Sequence, residues 1–205
     1  TFGGATAVAT EAHRVNRLHE RVTGEYTTAQ SETRAYRAAD PDLLLWVHIA
    51  FMESFLVSHE RYCAAPIPAG DAPTGADNYV AQWARSVAPL GLDATPTSRS
   101  EMDALIDRFV TTGTLTVRED TRRVVSFIRR PPLPLLARPV YRILFEAAVV
   151  SLRPEYRAML GLRSAPEWLV TPLVRGTLRA IRLAIGPESP IEDGALDRLR
   201  RIGEI

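Results

Sequence analysis

The stretch LLLWVHIAFM at residues 43–52 constrains the fold more than any other part of the chain. Asp40 and Pro41 precede it, an acid suited to an N-cap and a proline whose fixed φ suits the first helical position, so a helix is predicted from there to about Tyr62. That helix is apolar almost all round and therefore needs other elements on every side. The run is about half the length needed to cross a bilayer, and Glu53 follows it, so a buried helix is expected and no transmembrane segment.

What surrounds it is also helical, because 3.6-residue periodicity recurs along the chain and strand alternation does not. A first helix is predicted over residues 5–23, closed by Gly24 in the left-handed conformation. After the loop APIPAGDAPTG comes a third helix carrying Tyr79, Val80, Trp83 and Val87, then a fourth over 100–112 with Met102, Leu105, Ile106 and Phe109 on one side. Thr116 and Glu119 have capping-box spacing, predicting a fifth helix to about Arg129 that buries Val117, Thr121, Val124, Val125 and Ile128. RRPPLPLLARP breaks it. A strongly apolar sixth helix follows over 140–152, and a short one from Pro154 ends at Gly161. Ser164 and Glu167 form a second capping box, opening a long helix to Gly186 that bends at Pro172, and residues 195–202 make one more short helix. With no internal repeat and no long linker, the expectation is a single all-α domain over 1–205, a multi-helix bundle with the second and sixth helices central.

The formal net charge is +1, from 25 basic and 24 acidic residues, which gives no field to attract a polyanion, so nucleic acid is not an expected partner. Every basic residue is arginine, which excludes a lysine Schiff base and points to a GC-rich genome and a bacterial source. Cys63 stands alone, so it makes no internal disulfide or cysteine metal cluster, and a reducing cytoplasm is the expected compartment. The chain opens at Thr1 without methionine and without a signal-type segment; a start lacking an N-terminal segment of the natural protein is the expectation.

Polar groups in apolar rows are the candidate functional residues. On the first helix Val8, Ala12, Val15, His19 and Val22 fall in one line, so an imidazole occupies an aliphatic slot, whereas His13 lies about 240° away beside Arg17 and Glu20. His48 lies within the most apolar helix, and His59 follows eleven residues later, offset by about 20°, so Leu44, His48, Phe51 or Met52, Phe55 and His59 share a face. Two buried imidazoles on facing helices would look into one pocket. The plainer alternative for each is a hydrogen-bonded core histidine. Glu53 is a general base or, more simply, the partner of an arginine on a neighbouring helix. Arg122, Arg123, Arg129 and Arg130 either hold a phosphate or propionate or form a solvated face.

Local metal and nucleophile motifs are missing: no HExxH, no CxxC, no glycine-rich phosphate loop and no GxSxG elbow. The histidines offer one ligand at a time. Haem is a cofactor that needs only one axial histidine and an apolar slot between helices.

The succession FGG at 2–4, VNRLHERVTG at 15–24, YRAADPDLLLWVH at 36–48 and Glu53-Ser54 resembles the rubber oxygenase (latex clearing protein) and MpaB-type oxygenase family. DNYVAQW at 77–83, PLGL at 89–92 and LRPEYRAMLGL at 152–162 extend the likeness over nearly the whole chain. The resemblance implies an all-α fold holding haem b, with His19 as axial ligand to the iron. It also implies dioxygen and an apolar isoprenoid or lipid-like small molecule as partners, and oxidative cleavage of a carbon–carbon double bond. His48 matches a recurrent family histidine near the cofactor pocket, without an assigned catalytic step. The family's distal arginine and threonine belong to a helix upstream of Phe-Gly-Gly, outside this sequence. Val15, Leu44, Phe51, Met52, Phe55 and Phe145 are the residues expected to line a substrate pocket. The competing expectation is a haem-free helical ligand-binding or regulatory module with an apolar pocket. The oligomeric state is left open.

Overall fold

The hub of the fold is helix α2, Pro41–Tyr62, which packs against α3 (Gly75–Val87), α4 (Arg99–Thr111), α6 (Arg138–Ser151) and α8 (Glu167–Ile185). The computed structural model describes residues 4–27, 32–92, 94–186 and 190–202. Among them lie five further helices: α1 (Ala5–Arg21), α5 (Glu119–Arg129), α7 (Pro154–Leu160), α9 (Pro190–Ile202) and a 3-10 turn, Ala88–Leu90. The all-α expectation therefore holds, with one addition.

That addition is an antiparallel hairpin, β1 (Thr23–Thr27) with β2 (Thr33–Arg37), in the register Thr23↔Arg37 to Thr27↔Thr33. It corrects the reading of Gly24 as a helix cap. Helix α1 stops at Arg21, Val22 turns extended, and Gly24 sits in β1 opposite Tyr36. A Cβ at Gly24 would lie 2.8 Å from Cε1 of Tyr36, so glycine is there to let that ring cross the strand. Both strands are short, polar and largely exposed, which leaves no apolar alternation to read. A lone two-stranded hairpin is marginal in water. Here the Tyr26 and Tyr36 rings meet edge-on at 6.3 Å, and α1 packs on β2.

Asp40 is the N-cap residue of α2, as expected, but its side chain is used elsewhere. Its Oδ2 accepts the Arg37 N–H at 2.9 Å, closing the turn between β2 and α2, and makes no cap bond to α2. Elsewhere side-chain caps are present. Thr74 Oγ1 accepts the Asp77 N–H at 3.1 Å and Ser98 Oγ the Glu101 N–H at 3.3 Å, while Asp77 Oδ1 accepts the Arg99 N–H at 2.9 Å and so ties the starts of α3 and α4 together. Neither predicted capping box at α5 or α8 forms. Helix α5 begins at Glu119, with the Arg118 N–H donating to Thr121 Oγ1, and Glu119 pairs with Arg123. Helix α8 begins after Pro166, and Glu167 is taken by Arg61. The short α7 ends as expected, with Gly161 at φ 64°.

The core has two parts that α2 joins. Ile49, Met52 and Leu56 pack with Val80 of α3 and Met102, Ile106 and Phe109 of α4. Farther along, Tyr62 packs with Ala147 and Val150 of α6 and Val170 and Val174 of α8, and donates its hydroxyl to the Ala147 carbonyl at 2.9 Å. So α4 contributes as much to the interior as α6. The expected burial on α5 is corrected outright: that helix buries no residue, and Val124 and Ile128 are exposed.

Nor is α2 enclosed on every side. Leu43, Val47, Phe51 and Phe55, at four-residue spacing, form an exposed edge, with both phenylalanines 54% exposed. By length and hydropathy α2 is the one helix among the described residues long and apolar enough to span a membrane; the structure shows it packed within the bundle.

Candidate functional site

His48 is 4% exposed, and both ring nitrogens are buried without a hydrogen-bond partner. A neutral imidazole always carries one donor and one acceptor, so two polar groups go unmet. Burial holds its pKa below the ordinary 6.5, leaving the ring uncharged at neutral pH. Its ring centroid lies 5.8 Å from that of Trp83 on α3, and Trp83 continues through Phe55 at 5.8 Å to Phe51, stacked 6.1 Å farther on.

His19 is half-buried, near the C-terminal end of α1. Its Nδ1 is buried and unpartnered, while Ala12 on the same row is buried and Val15 half-buried. The main neighbours of α1 are the 3-10 turn and β2, whereas those of α2 are α3, α4, α6 and α8, so the two histidines stand on helices that are not principal packing partners. His59 is committed differently: its Nε2 lies 2.9 Å from the Ala65 carbonyl.

Among the described residues no group of three or more His, Cys, Asp or Glu side chains could hold a metal ion. A single uncommitted imidazole on an apolar row is, by contrast, the donor that haem iron requires of a protein. The residues present fit that group on the ligand side, through His19.

Several hollows lie alongside α2. The first, about 360 Å³, is mostly apolar and lies between α2, residues 115–117, α5, α6 and α7, with Trp46, Ser54, Ala148 and Met159 in its walls. Another, about 670 Å³, lies against α6 and α8 and includes Phe55, His59, Tyr79 and Leu144. The third, about 880 Å³, is polar and holds Glu53, Arg99, Asp103 and Arg153. Neither His19 nor His48 lines any of these. Of the expected pocket residues only Phe55 does; Met52 is wholly in the core, Phe51 is exposed, and Val15, Leu44 and Phe145 are half-buried elsewhere.

Glu53 is an ion-pair partner: Arg153, at the start of α7, bonds to it and also to Asp103 and, at 3.0 Å, to Asp107. Arg99 extends the network to Glu60 at 3.1 Å and Asp103 at 3.2 Å, so α2, α4 and α7 are clamped by charge. Beside this network the Tyr156 hydroxyl is buried without a partner, and burial, then the Glu53 charge, push its pKa well above the usual tyrosine value. Arg123 meets only Glu119 and Asp120 at the surface, as a solvated face would.

Sequence reasoning did not identify the first hollow. Its one legible trace is the row Ala50, Ser54, Ser58 at four-residue spacing on α2, small side chains that leave room beside a helix.

The described residues thus form a helical bundle with hollows alongside its central helix and two imidazoles set apart from them. Residues 1–183 match the family described as ER-bound oxygenase mpaB/B'/rubber oxygenase, catalytic domain, and the chain belongs to that family. It is thus an oxygenase-like domain. No curated protein and no solved structure matches it.

Proposed function

We propose that the chain is the catalytic portion of a haem-b-dependent oxygenase that cleaves a carbon–carbon double bond in an apolar, isoprenoid or lipid-like substrate. The observation that carries this reading is the His19 ring, set in an apolar row with a buried nitrogen that no protein group uses. Family membership supports the oxygenase class. Haem iron, when bound, supplies dioxygen activation and the oxidising power.

The chain's own part is to bind, orient and exclude water. His19 would hold the cofactor through its uncommitted ring nitrogen, and Ala12 and Val15 on the same row would keep its surroundings apolar. The exposed Phe51 and Phe55 rings offer an apolar surface for substrate. His48, uncharged because it is buried, stands behind that surface against the Trp83 ring. The lone Cys63 and the all-arginine composition support a bacterial cytoplasm as its setting.

The test is an absorption titration of the protein at its full natural length with haemin. Wild type is expected to develop the haem band and His19→Ala to lose it; an unchanged spectrum for His19→Ala overturns the assignment. The haem-free reading draws on the first hollow, which has no histidine in its walls. A colourless protein that takes up no haem would favour it.

A further inference from the structure

The first hollow faces away from His48. At about 100° per residue, Ala50 and Ser54 lie roughly 200° and 240° around α2 from His48, on the opposite flank of the helix. Its volume of about 360 Å³ falls within the range of about 300–1,000 Å³ typical of small-molecule sites. Trp46, Leu115, Val117, Leu152 and Met159 give it apolar walls, and Ser54 and Ala148, both exposed into it, give it a floor of small side chains.

Its polar atoms decide what it can hold. Ser54 Oγ already donates to the Ala50 carbonyl at 2.7 Å, Ser151 Oγ to the Ala147 carbonyl at 2.9 Å, and Thr121 Oγ1 accepts from the Arg118 N–H at 3.3 Å. The hydroxyls of Ser58, Thr116 and Tyr156 have no hydrogen-bond partner among the described residues. Among the described residues no arginine lines the hollow, and the one acidic residue that does, Glu53, already holds Arg153 with its carboxylate. An anionic head group would be desolvated beside a carboxylate with no cation left to meet it, a heavy penalty. A neutral hydroxyl or carbonyl would instead find Ser58 or Thr116. Ser58 and Ala148 also line the second hollow, so the two adjoin along the seam between α2 and α6, the second reaching Leu144 and Leu178.

We infer that this hollow is a binding site for an uncharged single-chain amphiphile, of the long-chain alcohol type, on the flank of α2 remote from the histidines. It does not depend on haem or on His19. The test uses the whole chain and a neutral, polarity-sensitive dye, Nile red, displaced by dodecanol or by dodecanoate, which share a tail and differ in charge. Dodecanol is expected to displace the dye, with dodecanoate at least ten-fold weaker. Ala148→Trp and Ser54→Leu, which grow into the hollow from exposed positions, are each expected to weaken dye binding at least ten-fold with thermal melts unchanged. His19→Ala and Phe51→Ser, on other faces, should bind as wild type does. Energy transfer to the dye should fall more with Trp46→Phe than with Trp168→Phe. Equal competition by dodecanoate, wild-type binding by both filling variants, or loss of binding in Phe51→Ser overturns the inference.

Discussion

Replacing His48 by leucine should stabilise the protein. The wild-type ring is buried with two unmet polar atoms. An unsatisfied buried group costs about 1–3 kcal/mol, and an apolar side chain of similar size removes that penalty while keeping the packing. Allowing for some loss of fit beside Trp83, the net gain at pH 7 is about 1–2 kcal/mol, or roughly 2–8 °C in Tm for a chain of this length. The pH dependence sharpens the test. Because burial lowers the folded-state pKa of His48, the unfolded chain binds more protons than the folded one once pH falls below about 6.5. Wild type therefore loses stability on acidification through this residue, and the variant does not. The assay is urea unfolding of the haem-free protein at pH 7.5 and pH 5.5, with the other three histidines common to both proteins. The leucine variant should be more stable at both pH values, by a wider margin at the lower. A variant less stable at pH 7.5, or a margin that does not grow with acid, would refute the reasoning from unmet polar atoms.

Arg153→Ala leaves the buried Glu53 without its cation; because the arginine is partly solvated, a loss of about 2–4 kcal/mol is expected in urea melts, and a loss below about 0.5 kcal/mol contradicts the clamp. Met102→Ala opens a cavity in the tightest part of the core and should cost about 2–5 kcal/mol. Phe127→Ala on the exposed α5 should stay within about 0.5 kcal/mol, so similar losses for these two would mean that α5 is packed in solution. Gly75→Ala puts a Cβ 2.0 Å from the Ile67 carbonyl oxygen, and thermal unfolding should show a penalty of at least about 2 kcal/mol.

The helices were legible because their periodicity, prolines and terminal glycines are local signals. Pro41, Pro154 and Gly161 mark real ends. The hairpin was not, since its strands carry no alternating apolar residues and Gly24 read equally well as a helix stop. Both capping boxes failed because spacing identifies an acid three residues on but not a rival partner: Glu167 belongs to Arg61 and Glu119 to Arg123. Composition overstated the burial of α5, whose Val124, Phe127 and Ile128 meet no neighbouring element that would cover them. At the site, periodicity placed His48 in the interior and His19 on a part-buried row. Which helices face each other is a tertiary matter, and there the expectation of one shared pocket met two helices packed on different neighbours.

Helix α2 touches the histidine and its aromatic ladder on one flank and the small-residue trough on the other. A shift of α2 that widens the trough also moves the imidazole, because a single rigid rod carries both. Divergence in ligand preference would therefore accumulate on α5, α6 and α7, which line the trough without carrying a histidine.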